Sequence, residues 1–184
     1  MVTESRVTNV QTKPNRVDLA LKGLIGVLTV VFLYIVAQTF EQKVVDKGDK
    51  APKFAVTTDQ GEQVGSTNFK GKLLVVNFWA TWCPPCIEEW PSLNNFAQQY
   101  KDKGVTVLAV SIDRNDKRYR EFLAKNRPRF LTTRDPESNI PASYGTFLVP
   151  ETYIINQQGK VVFKVANAQN WADPAFLNFF QSLL

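Results

Sequence analysis

The sequence predicts an α/β domain, a mixed sheet covered by helices, with a β-hairpin before it and one membrane-spanning helix before that. Three observations carry the prediction. Residues 23–40 run without a single charge. Two continuous apolar runs, 73–78 and 105–110, suit buried strands, and each is followed by a helix-forming stretch. The chain closes on a strand pair and an amphipathic helix, so the order βαβα…ββα calls for a sheet of mixed direction.

Composition narrows the chemistry. The 184 residues leave room for one domain and an appendage, and 13 Phe and 4 Trp suffice to fill a core. Histidine is absent, which removes Ser-His and Cys-His nucleophiles. Ile87 follows Cys86, so no haem-attachment motif is present. A structural zinc site takes about four Cys or His ligands, and Cys83 and Cys86 are the only two here, so no metal is expected. The net charge of +5 fits a solvated lysine-rich surface better than a nucleic-acid partner, because no basic run interleaves with aromatics.

Residues 1–18 read as a short polar cytoplasmic tail and 19–40 as a transmembrane anchor, with Lys22 able to snorkel to the surface. A cleaved signal peptide is the rival reading, weakened by the length of the apolar run and the lack of a small-x-small site near Ala37. Arg6, Lys13, Arg16 and Lys22 precede the span, and Lys43, Lys47, Lys50 and Lys53 follow it, so charge alone barely orients it. A single N-terminal span usually exports the domain behind it, which favours the N-terminus inside. Residues 41–50 then read as a charged linker, and 51–184 as the folded domain.

Within that domain, 54–57 and 62–64 flank Asp59-Gln60-Gly61 as a β-hairpin. Strand 73–78 leads into a helix from Pro84 to Lys101, in which Pro91 introduces a kink. Strand 105–110 leads into a helix from Asp116 to Asn126. Strands 152–155 and 161–165 bracket the turn Asn156-Gln157-Gln158-Gly159. Asp173 is a candidate N-cap and Pro174 a first-turn residue for the last helix. Residues 127–151 carry no assignment.

The only cysteines stand in Trp82-Cys83-Pro84-Pro85-Cys86. Residues three apart on a helix are neighbours, close enough to close a disulfide. So local a bridge constrains little chain entropy, which points to a reversible redox switch rather than a staple. Cys83 falls at a helix start, where free N–H groups and the helix dipole favour a thiolate, making it the attacking nucleophile. Cys86, one turn inside, is the resolving thiol. Pro84 and Pro85 fit a first helical turn and stiffen it. Glu89, on the same face as Cys86, is a candidate to exchange its proton; the plainer reading is that Glu88 and Glu89 both complement the dipole. Trp82 is either a lid over the pair or part of a docking surface.

Gly48-Asp49-Lys50-Ala51-Pro52-Lys53-Phe54, Phe69-Lys70-Gly71-Lys72, the block from Val76 to Cys86 and Glu89-Trp90-Pro91 together resemble the TlpA/ResA branch of the thioredoxin superfamily. The resemblance covers 48–184. It implies a thioredoxin-like fold with an N-terminal hairpin extension, and a redox-active Cys83–Cys86 disulfide in place of any cofactor. It places Val149-Pro150 where the family has its cis-proline, facing the cysteines and offering backbone for pairing with substrate. Asn77 stands where cytosolic thioredoxins carry a buried aspartate, and Glu89 matches the active-site glutamate of ResA-like proteins. Glu151, after the proline, makes Pro150-Glu151-Thr152 similar to the CcmG/DsbE proteins of cytochrome c maturation, although Pro84-Pro85 differs from that subgroup's dipeptide. Such proteins are outward-facing, membrane-anchored reductants fed by a transmembrane donor of the DsbD/CcdA kind.

The sequence therefore leads to a tethered extracytoplasmic thiol–disulfide oxidoreductase, in the inner or cytoplasmic membrane with its catalytic domain on the periplasmic or outer side. It would reduce disulfides in exported proteins, with apocytochrome c the first candidate and Trp82, Val149, Pro150 and Glu151 contacting substrate. A disulfide oxidase or thiol peroxidase is a second reading, and a non-catalytic docking or assembly factor a third.

Overall fold

The computed structural model describes residues 16–39 and 44–184, in two compact units divided after Gln42. Most of the expected tail, and residues 40–43 of the anchor and linker, lie outside the described residues.

The first unit contains α1 (Arg16–Thr39), which begins three residues ahead of the expected anchor. Its Arg16–Val36 stretch has a mean hydropathy of 2.4. At about 1.5 Å per residue such a stretch is long enough to cross a bilayer core. Lys22 bonds Asp18 at 2.9 Å near the start. Thr29, in the apolar part, donates its hydroxyl to the Ile25 carbonyl at 2.8 Å, so its polar group is paired within the helix.

The second unit starts with a hairpin, β1 (Ala55–Thr57) and β2 (Gln63–Gly65), paired antiparallel across a turn at Gly61. A five-stranded sheet follows, in the order β5-β4-β3-β6-β7, from β3 (Leu73–Trp79), β4 (Val105–Ser111), β5 (Leu131–Arg134), β6 (Glu151–Asn156) and β7 (Val161–Ala166). β3, β4 and β5 are parallel, β6 runs against β3, and β7, antiparallel to β6, runs with β3 again, as the predicted mixed sheet requires. The helices are α2 (Pro84–Tyr100), α3 (Asp116–Asn126), α4 (Asn139–Ser143) and α5 (Pro174–Gln181). This is the thioredoxin-like arrangement.

β3 is buried along its whole length, which explains its unbroken apolar run. Alternation sends Leu73, Val75 and Trp79 into one core and Leu74, Val76 and Phe78 into the other. Burying each of these side chains is worth about 1.5–3 kcal/mol. Under α2 and α3 the first core is largely aromatic: the Trp79 and Trp90 rings lie 4.3 Å apart, and Phe122 and Phe130 pack against Trp90. α2 continues past Pro91 to Tyr100. Asn115 caps α3 through the Arg118 N–H, and Asp173 caps α5 through the Phe176 N–H.

Two features depart from the sequence reading. β5 and α4 fill the unassigned stretch. Residues 44–50, expected to be linker, belong to the domain: Val45 is buried, its N–H donates to the Tyr144 carbonyl, and Gly48 N–H donates to the Val161 carbonyl. Charges at Asp46, Lys47 and Lys50 hide this strap from a composition reading, because a strap needs only one inward side chain and a few backbone bonds.

Candidate active site

β3 ends at Trp79, and α2 begins at Pro84 with prolines in its first two positions, where a missing N–H costs nothing. Cys83 is the N-cap, extended at φ −98° and ψ 103°. Its sulfur accepts the Cys86 N–H at 3.3 Å. The two cysteines are joined in a disulfide with their Cα atoms 5.3 Å apart. Both are nearly sealed, Cys83 at 3% exposure and Cys86 at 1%, while Trp82, Pro84 and Pro85 stand exposed around them.

The loop before Cys83 is held by a residue the sequence reading passed over. Asp113, fully buried beyond the end of β4, accepts the Thr81 N–H at 2.8 Å and the Thr81 hydroxyl at 2.7 Å. Ser111 supplies a third donor. The available signal was a lone carboxylate just past an apolar strand, two residues ahead of a helix cap.

Facing the pair, the Val149–Pro150 peptide is cis, as the resemblance implies. The Val149 carbonyl oxygen lies 3.5 Å from Cys83 Sγ, and Pro150 is buried. Trp82 and Val149 thus border Cys83. Glu151 is placed differently from the expectation that it contacts substrate. Its carboxylate turns inward, 9% exposed, and takes the Lys164 ammonium at 2.9 Å, the Tyr153 hydroxyl at 3.0 Å and the Thr146 hydroxyl. Lys164 also donates to the Val45 carbonyl at 3.2 Å, joining this network to the strap.

Glu89 is buried at 4% exposure, whereas Glu88 is exposed, which separates the two acids the sequence left side by side. One Glu89 oxygen accepts the Asn77 side-chain N–H at 2.8 Å, and the other accepts the Gln169 backbone N–H at 2.9 Å. No cation pairs with it among the described residues. Burial pushes its carboxyl above the usual range. The Gln169 and Asn77 donors, with a weaker pull from the Trp171 indole, which makes no hydrogen bond of good geometry, only partly oppose that. Asn77 also donates to Thr152 at 2.9 Å, so one amide ties the cysteine helix to the strand that follows the cis-proline.

Fold and site together define a thiol–disulfide oxidoreductase built on the thioredoxin-like scaffold. Residues 46–176 match the redoxin family. Over 131 residues, 71% of this chain and 75% of the relative, the chain is 34% identical to the thiol-disulfide oxidoreductase ResA of Bacillus thuringiensis subsp. konkukian. It is 33% identical over 149 residues to the thioredoxin-like protein YneN of Bacillus subtilis, covering 76% of this chain and 86% of that one. Among solved structures, one assigned as a thiol:disulfide interchange protein DsbE from Chlorobium tepidum superposes with a TM-score of 0.67 at 32% identity, over 76% of this chain and 98% of that one. The chain belongs to the redoxin family, in its TlpA/ResA-like branch.

Proposed function

We propose that the protein is a membrane-tethered, extracytoplasmic reductant of disulfides in exported proteins, with apocytochrome c the first candidate substrate. One observation carries the reading: Cys83 caps α2 with its sulfur on the Cys86 N–H and beside the Val149 carbonyl. A helix N-terminus and a donated N–H both favour the thiolate that exchange requires. The apolar α1 supports the tether, and the DsbE-like and ResA-like relatives are named for thiol–disulfide exchange.

In the reduced enzyme, the Cys83 thiolate attacks one sulfur of the target disulfide. The target S–S bond breaks, its second sulfur leaves as a thiolate and takes a proton, and a mixed disulfide forms. Cys86 then loses its proton and attacks Cys83 Sγ, releasing the target as a dithiol and closing the Cys83–Cys86 bond. Glu89 is the base for the Cys86 proton, since burial raises its affinity for a proton above that of an ordinary carboxylate. Two electrons have passed to the target, and a transmembrane dithiol donor of the DsbD/CcdA kind restores the pair.

Capture with Cys86→Ser tests this directly, because the exchange then stalls at the mixed disulfide. Exported disulfide proteins, apocytochromes among them, are the expected catch. A pair that is fully oxidised in intact cells, and unchanged when the donor is removed, would refute the reductant role.

A further inference from the structure

The sheet order sets two different surfaces around Cys83. Cys83 follows β3; the loop before β6 lies on one side of it and the loop after β4 on the other. The β6 side is apolar. Phe147 and Leu148, the two residues before Val149, are 73% and 84% exposed, and Trp82 is 54% exposed. Among the described residues of the domain, the large exposed apolar side chains are these three and Val44, so three of the four crowd the redox pair. Apolar exposure confined to one rim marks a contact surface rather than chance.

The β4 side is basic. A groove of about 410 Å³ opens beside Trp82, floored by Ile112 and edged by Arg114 and Arg118. Both arginines are exposed, and neither pairs with a carboxylate among the described residues. The nearby acids are already engaged: Asp113 holds Thr81 and Ser111, and Asp116 pairs with Arg120 and Arg134. Among the groove's lining side chains Arg114 and Arg118 are cationic and Asp113, bonded to neutral donors, is the one anion, so the groove presents net positive charge beside Ile112.

We propose that this rim selects its target polypeptide by sequence: an apolar side chain on one flank of the target cysteine seats against Phe147, Leu148 and Trp82, and an acidic one on the other flank enters the Arg114–Arg118 groove. The inference rests on the exchange chemistry proposed above. Its occupant is a disulfide-bearing segment of another protein because the patches are continuous with Cys83. With only 3% of Cys83 exposed, a target sulfur reaches it only by seating against this rim.

Four disulfide-bridged peptides test it with the full-length chain in detergent, pairing Leu or Ser on one flank with Asp or Lys on the other. The wild type should favour Leu over Ser by about tenfold in kcat/KM. It should favour Asp over Lys by about fivefold at low salt, and this preference should fade at high salt. Phe147→Ser/Leu148→Ser should bring the Leu-to-Ser ratio to about one. Arg114→Glu/Arg118→Glu should invert the charge preference, a gain that misfolding cannot mimic. Equal rates on all four peptides, or an acidic preference that survives charge reversal, would overturn the selectivity and leave the exchange activity standing. A Leu preference that appears only in anionic vesicles would assign the rim to lipid instead and overturn it too. Failure to reduce any peptide would sink both readings.

Discussion

Glu89 and Glu151 are two buried glutamates on opposite faces of the central sheet, with opposite surroundings. Glu89 has neutral donors at both oxygens, Asn77 and Gln169. Glu151 has an ammonium at 2.9 Å and two hydroxyls. A buried carboxylate that meets only neutral donors still bears the cost of its charge, so protonation relieves it. Glu151 instead has its charge matched by the Lys164 ammonium. The first is the group proposed to exchange the Cys86 proton, whereas the second holds β6, β7 and the strap together.

Glu89→Gln should break the functional half of this contrast most visibly. Single-turnover reduction of a peptide disulfide should slow about a hundredfold at neutral pH, with the mixed disulfide accumulating. A rate unchanged across the pH profile would assign Glu89 to packing alone. Glu151→Ala should act on stability instead. It leaves Lys164 mostly buried without a counter-charge and should lower unfolding free energy by about 3 kcal/mol in denaturant titration. Glu151→Leu/Lys164→Met should recover most of that loss, since replacing both partners avoids the stranded charge.

The pH dependence of stability sharpens the same comparison. The folded pKa of Glu89 is raised above its ordinary 4.5, so the folded state binds the proton more tightly. Its favourable contribution is full below that value and is lost as pH rises through the raised pKa. Wild type should therefore lose stability relative to Glu89→Gln from about pH 4.5 upward, by roughly 1.4 kcal/mol per unit of pKa elevation, as read by Tm across a pH series. Asn77→Ala is the mildest change. Removing one of the two donors should raise the Glu89 pKa further and shift the rate profile toward higher pH, at about 1 kcal/mol of stability.

What could be read in the chain was what is local. Cys83, Cys86 and Glu89 share one helix start, so spacing alone assembles them, and the same holds for the Asp173 cap. β3 and β4 stood out because burial on both faces leaves a solid apolar run. β5 did not, since Leu131-Thr132-Thr133-Arg134 is short and mostly polar. Nor did α4, five residues containing Pro141, whose Ile140 N–H is held by Asp135 at 2.7 Å. Asp113 reaches Thr81 across 32 residues and Lys164 reaches Val45 across 119, distances over which no sequence period operates. The inward turn of Glu151 was not legible either, because Thr146 comes from the loop before it and Lys164 from β7, with only Tyr153 a near neighbour in β6.

The strap at 44–50 also decides how force enters the domain. It lies antiparallel beside the start of β7, with Gly48 and Asp49 bonded to Val161 and Lys50 bridged to Lys160, while Val45 is clasped by Tyr144 and Lys164. A pull on the chain ahead of Val45, directed along the strap, loads these bonds together in shear rather than peeling them one at a time. Such a strap would resist peeling, and its outermost bond, at Val45, ends on Tyr144, six residues before the proline that faces the cysteines.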